Sequence, residues 1–358
     1  MSTLHSPIFC EIDLDADGKH HGFLRLPHSV HRSAYGWIPI PITSIKNGDG
    51  PTVLLMAGNH GDEYEGQVAL CNLSQQICPE DINGQVILLP MANFPAARSG
   101  MRTSLIDDGN LNRSFPGNPL GTPTQVIAHF IETELIKRAD YLLDIHSGGS
   151  SLIYIPSALL TIDADPDQHQ ANLALVRSIG FPQTLLFSQS GMECYSSSAA
   201  HRNDCVAITL EVAGAGTIDR SALQQLYRGL ESYLAHVGVN SALLDEANPM
   251  AAEPVFISRT DIDEKNEDGG NHNTEFLTIT GEECYCYSYG SGLFEPLVNL
   301  GDQVVQGQSA ALIHEPETPW KKPEQVSFKA AGKVVSKRVP ARVERGDCLF
   351  EIAEKTEC

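Results

Sequence analysis

Positive charge is what this chain has least of. Lysine and arginine together number 24 against 45 aspartates and glutamates, a formal net charge of −21 at pH 7. Nucleic acid and anionic bilayers are bound through basic footprints, so neither is expected as a partner. Long hydrophobic runs are missing too. No stretch approaches the ~18 consecutive apolar residues of a spanning helix. The opening MSTLHSPIFCEIDLDADGKHHG has no basic start followed by an apolar stretch, so no secretory signal is expected. Paired cysteine is likewise wanting. The nine cysteines are odd in number and scattered, the pattern of reduced thiols in a cytoplasmic protein. Cys284 and Cys286 form a C-x-C pair with no second pair to complete a metal site, and read as ordinary strand residues.

What is present suffices for a folded enzyme-sized body. Hydrophobic residues make up 42% of 358, enough for a real core and more than one domain. Residues 1–50 hold short alternating runs that read as opening strands. A rhythm follows: TVLLMAG (52–58), GQVILLPMAN (84–93), DYLLDIHSG (140–148), QTLLFS and CVAITLEVAG (205–214) read as strands. Between them lie helical segments at 66–77, about 170–179 and 219–238. A further helix is predicted over 122–139, with Val126, Ile127, Phe130, Ile131, Leu135 and Ile136 near a 3.6 period. Apolar strands alternating with amphipathic helices predict an α/β layer with a largely parallel sheet.

The rhythm stops near residue 240. DEANPMAAEP and RTDIDEKNEDGGNHN read as linker or loop, and short strands and turns resume from about 275. They predict a small all-β domain. It contains a weak repeat, GLFEPLVNLGDQVVQGQSAALIH against GKVVSKRVPARVERGDCLFEIA, each half with a Gly-Asp turn. This resembles the barrel-sandwich hybrid of biotinyl and lipoyl domains. Lys321 and Lys322 lie in the longer span HEPETPWKKPEQVSF, without the tight hairpin of a modified lysine, so a structural module is expected.

In open α/β sheets, ligands bind beyond the carboxyl ends of the strands. His60, Asp62, Glu63 and Glu65 follow the first core strand, in MAGNHGDEYEG. Asn93, Arg98, Arg102, Asn112 and Arg113 follow the second, His146 ends the third, and Glu211 ends the CVAITL strand. The His60–Glu63 H-x-x-E unit alone is weak, because a chain with 13 histidines and 45 acidic residues makes such pairs by chance. Gly58 and Gly61 bracket the histidine and let the chain curl inward. Two imidazoles and a carboxylate suit a catalytic zinc site with an open fourth position, though nickel, cobalt and manganese fit the same donors. Asp144, on the same side of its strand as His146, either orients that ligand or caps a turn.

Glu211 is the candidate general base, against a plain salt-bridge role. Arg113 and Asn112 suit a substrate carboxylate. Arg102 suits a developing oxyanion, with Arg98 close by as a rival; the alternative for Arg102 and Arg113 is that they only staple the loop to acidic neighbours. His20, His21, His28 and His31 read as surface or core histidines. His201 and Arg202 lie over a pocket mouth or at a helix end, and Asp107 and Asp108 read as turn residues.

GNHGDE, NLNRSFPG, DIHSGG and TLEVAG together resemble, in order and context, the succinylglutamate desuccinylase/aspartoacylase family of zinc carboxypeptidase-like hydrolases. The run from GKHHGFLRLP to GNHGDEYEG looks most like its N-acetyl-diaminobutyrate deacetylase branch. The resemblance covers about 50–240 and extends to the C-terminal β module. It implies a three-layer α/β/α catalytic domain over 1–250 and a barrel-sandwich-like β domain over 251–358. It implies one zinc per chain on His60, Glu63 and His146, with Glu211 as catalytic carboxylate. Asn112 and Arg113 would hold the substrate's α-carboxylate, and Arg102 would polarise the scissile carbonyl. The expected activity is removal of a small acyl group from an N-acyl amino acid, in the cytoplasm. A metallocarboxypeptidase and a non-catalytic metal-binding scaffold are the alternatives, and a homo-oligomer is left open. Tyr285, Tyr287 and Tyr289 enter the site only if the β module folds back over it.

Overall fold

The computed structural model describes residues 6–162, 166–187, 193–239 and 274–356. Strands β1 (Phe9–Cys10), β2 (Gly18–Pro27) and β3 (Trp37–Asn47) run antiparallel along one margin of the main sheet. The middle is built from β4 (Thr52–Ala57), β5 (Gly84–Leu89) and β6 (Tyr141–His146), with α1 (Tyr64–Gln76), α2 (Phe94–Ser99) and α3 (Pro123–Phe130) between them. Next come β7 (Leu152–Tyr154), β8 (Ser157–Thr161), α4 (Pro166–Ile179), β9 (Gln183–Phe187), α5 (Ser196–Arg202), β10 (Val206–Glu211) and α6 (Arg220–His236). The C-terminal portion holds β11 (Glu275–Thr278), β12 (Tyr285–Tyr287), β13 (Gly292–Pro296), β14 (Gln303–Val304) and β15 (Ser309–His314). It ends with β16 (Glu324–Ser327), β17 (Gly332–Arg338), β18 (Arg342–Val343) and β19 (Cys348–Lys355).

Strand β4 shows why the sheet is sandwiched. Side chains alternate across a strand, and in β4 both alternations are apolar. Val53, Leu55 and Ala57 enter one core, Leu54 and Met56 the other. β5 divides the same way, with Val86 and Leu88 on one side and Ile87 and Leu89 on the other. A face of this kind needs cover, since burying a Val, Leu or Met is worth roughly 1.5–3 kcal/mol. Helices α1, α4 and α6 cover the first face, through Leu70, Val176 and Leu226 among others. Helices α3 and α5 cover the second, through Ile127 and Ala199. The result is the expected three-layer α/β/α arrangement. Strands β5, β4, β6 and β10 are mutually parallel, while β8 runs antiparallel to β10.

The helix predicted over 122–139 starts as expected. Pro123 occupies the first turn, and the Gln125 side chain accepts from the Thr122 N–H at 3.1 Å. Its winding then widens into a π turn over Ile131–Leu135 and tightens over Ile136–Arg138. Ile131, Leu135 and Ile136 all stay buried through this change.

The sequence repeat is visible as two matching turns. Gly301 and Gly346 sit at φ +91° and +93°, a region that favours glycine. Asp302 and Asp347 accept from the N–H groups of Asn299 and Glu344 at 2.8 and 2.9 Å. The C-terminal strands enclose their own core, around Phe294, Phe328 and Phe350. They also extend the main sheet: β11 lies parallel to β9 and antiparallel to β19, and β7 pairs with β17. The expected linker, with the boundary at 250/251, lies outside the described residues. Among the described residues no helix is long and apolar enough to cross a membrane.

Candidate active site

The loop after β4 is shaped by its glycines. Gly58 sits at φ +67°. A Cβ on Gly61 would lie 2.0 Å from the Ala96 carbonyl oxygen, so only glycine lets this loop pass the start of the α2 region. The curl turns His60 inward and ends at Glu63, the N-cap of α1. His146 is the last residue of β6 and Glu211 the last of β10, and the two are partners in the parallel ladder. Three chain segments thus deliver polar groups to one sheet edge.

His60, Glu63 and His146 come together there, buried, with one donor atom from each within 4.8 Å of the others. Nδ1 of His60 lies 2.6 Å from Oε1 of Glu63, and Nδ1 of His146 lies 2.9 Å from Oε2. Behind the rings, His60 Nε2 has a hydrogen-bond partner, and His146 Nε2 makes an ion-pair contact outside hydrogen-bond alignment. Nε2 of His60 lies 3.2 Å from Asn110 Oδ1, and Nε2 of His146 lies 3.0 Å from Asp144 Oδ2. Backing of this kind fixes ring orientation and turns Nδ1 toward a shared ligand. Two imidazoles and a carboxylate so arranged fit a divalent cation of the zinc type. Asp144 is itself held by the Ser196 hydroxyl at 2.5 Å and the Asn59 amide at 3.2 Å.

The electrostatics follow from burial and close charges. Burial acts to raise the Glu63 pKa, but the facing imidazoles outweigh it and hold the carboxyl well below the usual range. Burial acts to lower that of His146, and Asp144 and Glu63 reverse this, leaving it raised. The Glu211 carboxyl is pushed up to about 8, first by burial and then by the negative Glu63. Oε2 of Glu211 has no hydrogen-bond partner among the described residues.

The remaining sequence candidates separate. Arg102 Nη1 lies 3.4 Å from His60 Nδ1 and 3.6 Å from Glu63 Oε1, with its side chain half exposed. Arg98 instead lines a surface cavity with Trp37, Phe94 and Leu105. Asn112 is buried, and its Oδ1 accepts from the Ser196 N–H at 3.0 Å. Arg113 stacks 4.1 Å over the Tyr195 ring and donates to the Asn112 carbonyl at 2.9 Å. His201 and Arg202 fall at the end of α5, where Arg202 grips Glu132 with two hydrogen bonds of 3.0 and 2.8 Å. Asp107 accepts from the Thr124 N–H and hydroxyl at the start of α3. His20 and His21 bond to the Asp17 carbonyl and to the Thr43 hydroxyl. Among the described residues, His60, Glu63 and His146 form the one such metal-competent cluster.

Sequence reasoning missed Asn59, Asn110 and Ser196. Asn59 and Asn110 lie inside quoted motifs, one residue before His60 and two before Asn112, so proximity was a usable signal. Ser196 carries none. The β module does reach the site's surroundings: Glu351, the ladder partner of Tyr285, lies within electrostatic reach of Glu211. Tyr287 stacks against Tyr285, with ring centroids 6.2 Å apart, and Tyr289 is exposed.

Comparison with known proteins agrees with this architecture. Residues 49–237 match the succinylglutamate desuccinylase/aspartoacylase catalytic domain. The chain is 37% identical over 352 residues to the N-alpha-acetyl-L-2,4-diaminobutyric acid deacetylase of Halomonas elongata, covering 98% of this chain and 96% of that protein. It is similar to the product-bound ectoine utilization protein EutE (DoeB) of Ruegeria pomeroyi, with 36% identity, a TM-score of 0.87, and 98% and 100% of the two chains covered. It is also similar to a succinylglutamate desuccinylase/aspartoacylase of Rhodobacter sphaeroides, with 34% identity, a TM-score of 0.86 and the same coverage. With its catalytic segment matched and nearly its whole length shared with such relatives, the chain belongs to the succinylglutamate desuccinylase/aspartoacylase family.

Proposed function

We propose that this protein is a zinc-dependent amide hydrolase that removes a small acyl group from an N-acyl amino acid, as a deacetylase of the N-acetyl-diaminobutyrate type. The observation that carries the reading is the pair of Nδ1 atoms facing the two Glu63 oxygens, beside a Glu211 oxygen that nothing else occupies. His60, Glu63 and His146 would hold one ion per chain, which when bound supplies Lewis acidity and lowers the pKa of water. Glu211 would take a proton from the attacking water and return it to the leaving nitrogen as the C–N bond breaks. Arg102 would draw electron density from the acyl oxygen. Asn112 and Arg113 would hold the α-carboxylate of the substrate, Arg113 by its planar fork.

In this reading residues 1–250 carry the chemistry and 251–358 wall in the substrate. The described cysteines are free thiols, as a reducing cytoplasm would keep them. The test is hydrolysis of N-acetyl amino acids against peptides, before and after chelation, in wild type and Glu211→Gln. Chelation should abolish acetyl release, zinc should restore it, and the variant should bind zinc yet stay inactive. Full activity in Glu211→Gln would end the proposal.

A further inference from the structure

One line of residues across the C-terminal sheet is polar where its neighbours are apolar. Tyr154 of β7 stands opposite Ser336 of β17, Ser336 opposite Glu351 of β19, and Glu351 opposite Tyr285 of β12. Val334, Val335, Leu349 and Phe350 beside them belong to the core. Glu351 is only 5% exposed. The Ser336 hydroxyl donates to its Oε2 at 3.4 Å, and Tyr154 and Tyr285 flank it in the same cross-strand row. No lysine, arginine or histidine among the described residues makes an ion pair with it. A buried carboxylate without a cation is costly, and the Ser336 hydroxyl fills only part of its capacity of about four acceptor sites.

This line ends beside the candidate active site. β7 leads into β8, whose Ser157 is the ladder partner of Glu211. The Tyr154 N–H donates to the Ala213 carbonyl at 3.0 Å, and Ile153 bridges to Gly214. Residues from the catalytic sheet and the C-terminal sheet therefore share one wall, with a carboxyl group at each of its ends, Glu211 and Glu351.

We infer that Glu351 determines side-chain specificity: its carboxylate receives a primary ammonium group carried by the acylated amino acid, with Tyr154 and Tyr285 holding that carboxylate in place. The inference deepens the deacylase reading and rests on it. An ammonium brings three donors and one positive charge, which match the unused acceptor capacity and the missing counter-charge. An acidic side chain would offer Glu351 neither a positive charge nor the donors it lacks, and would be rejected. A neutral side chain would leave Glu351 unpaired.

The experiment compares kcat/KM for Nα-acetyl-2,4-diaminobutyrate and for Nα-acetyl-2-aminobutyrate, which lacks only the amine. Wild type should prefer the amine-bearing compound by about 100-fold, the usual scale for a buried charge pair. In Glu351→Gln, of equal size and neutral, the preference should shrink to within about threefold, through the loss of that same pair. An unchanged ratio in a folded variant overturns the inference, as does an equal loss for both compounds. Tyr285→Phe serves as a second variant should Glu351→Gln fail to fold. It keeps the charge and removes one restraint, so KM for the amine-bearing compound should rise while kcat holds; an unmoved KM overturns the inference. Wild type that hydrolyses neither compound would defeat the deacylase reading itself, whereas equal hydrolysis of both defeats only the role of Glu351.

Discussion

Replacing Asp144 by asparagine changes charge without changing shape, and so isolates what stands behind His146. One oxygen, Oδ2, lies 3.0 Å from His146 Nε2 and accepts from Ser196 at 2.5 Å and from Asn59 at 3.2 Å. The other, Oδ1, is buried and without a partner. If the amide nitrogen takes the Oδ2 place, it confronts donors. If it takes the Oδ1 place, it becomes a buried donor with no acceptor. In both cases His146 loses the anion that orients its ring. Losing such a backing group costs about 10–100-fold in metal affinity, or about 1.4–2.7 kcal/mol. Competition with a chromophoric chelator measures this directly. A bound ion also stabilises the native state by RT times the logarithm of one plus the ratio of free ion to Kd, so tighter binding means more stabilisation. Wild type and variant should therefore differ more in Tm with zinc than with EDTA. Unchanged zinc affinity in a variant with a native circular dichroism spectrum would refute the reasoning.

Two further outcomes are expected. An alanine at position 61 puts its Cβ against the backbone of Ala96, at 2.0 Å from the oxygen and 2.1 Å from the carbon. Gly61→Ala should cost about 1–3 kcal/mol and lower zinc content, read by thermal unfolding and metal analysis; wild-type values in both would contradict the loop's role. Glu211, its carboxyl raised from 4.5 to about 8, keeps a proton in the native state that the unfolded chain has lost, so it erodes stability as pH rises through that window. In chelated protein, Glu211→Gln should gain stability relative to wild type across the same window by urea denaturation, and parallel pH profiles would count against it.

The central sheet was legible because β4 and β5 carry apolar side chains on both faces, which allows only a sandwiched strand. His60, Glu63, His146 and Glu211 were legible because each closes a strand or follows it closely. Asn110 and Ser196 were harder, since their contacts span 50 and 52 residues and neither type signals its partner. Helix 122–139 was placed correctly, but periodicity near 3.6 cannot distinguish an α turn from the π turn at Ile131–Leu135. SLIYIP reads as a strand, yet nothing local says that β7 would pair with β17, nearly two hundred residues away. Glu351 was passed over for the same reason: its meaning lies in a row of four strands, not in its own segment.

The joining of β9, β11 and β19 into one ladder bears on how substrates come and go. A hinged lid would have to unzip main-chain bonds along β11 and between β7 and β17 at every turnover. Among the described residues, this wall is therefore a fixed part of the sheet that stays put while substrates pass. Truncation ahead of Glu275 would also strip β9 of its neighbour and leave a bare edge of the sort that recruits other chains into aggregates.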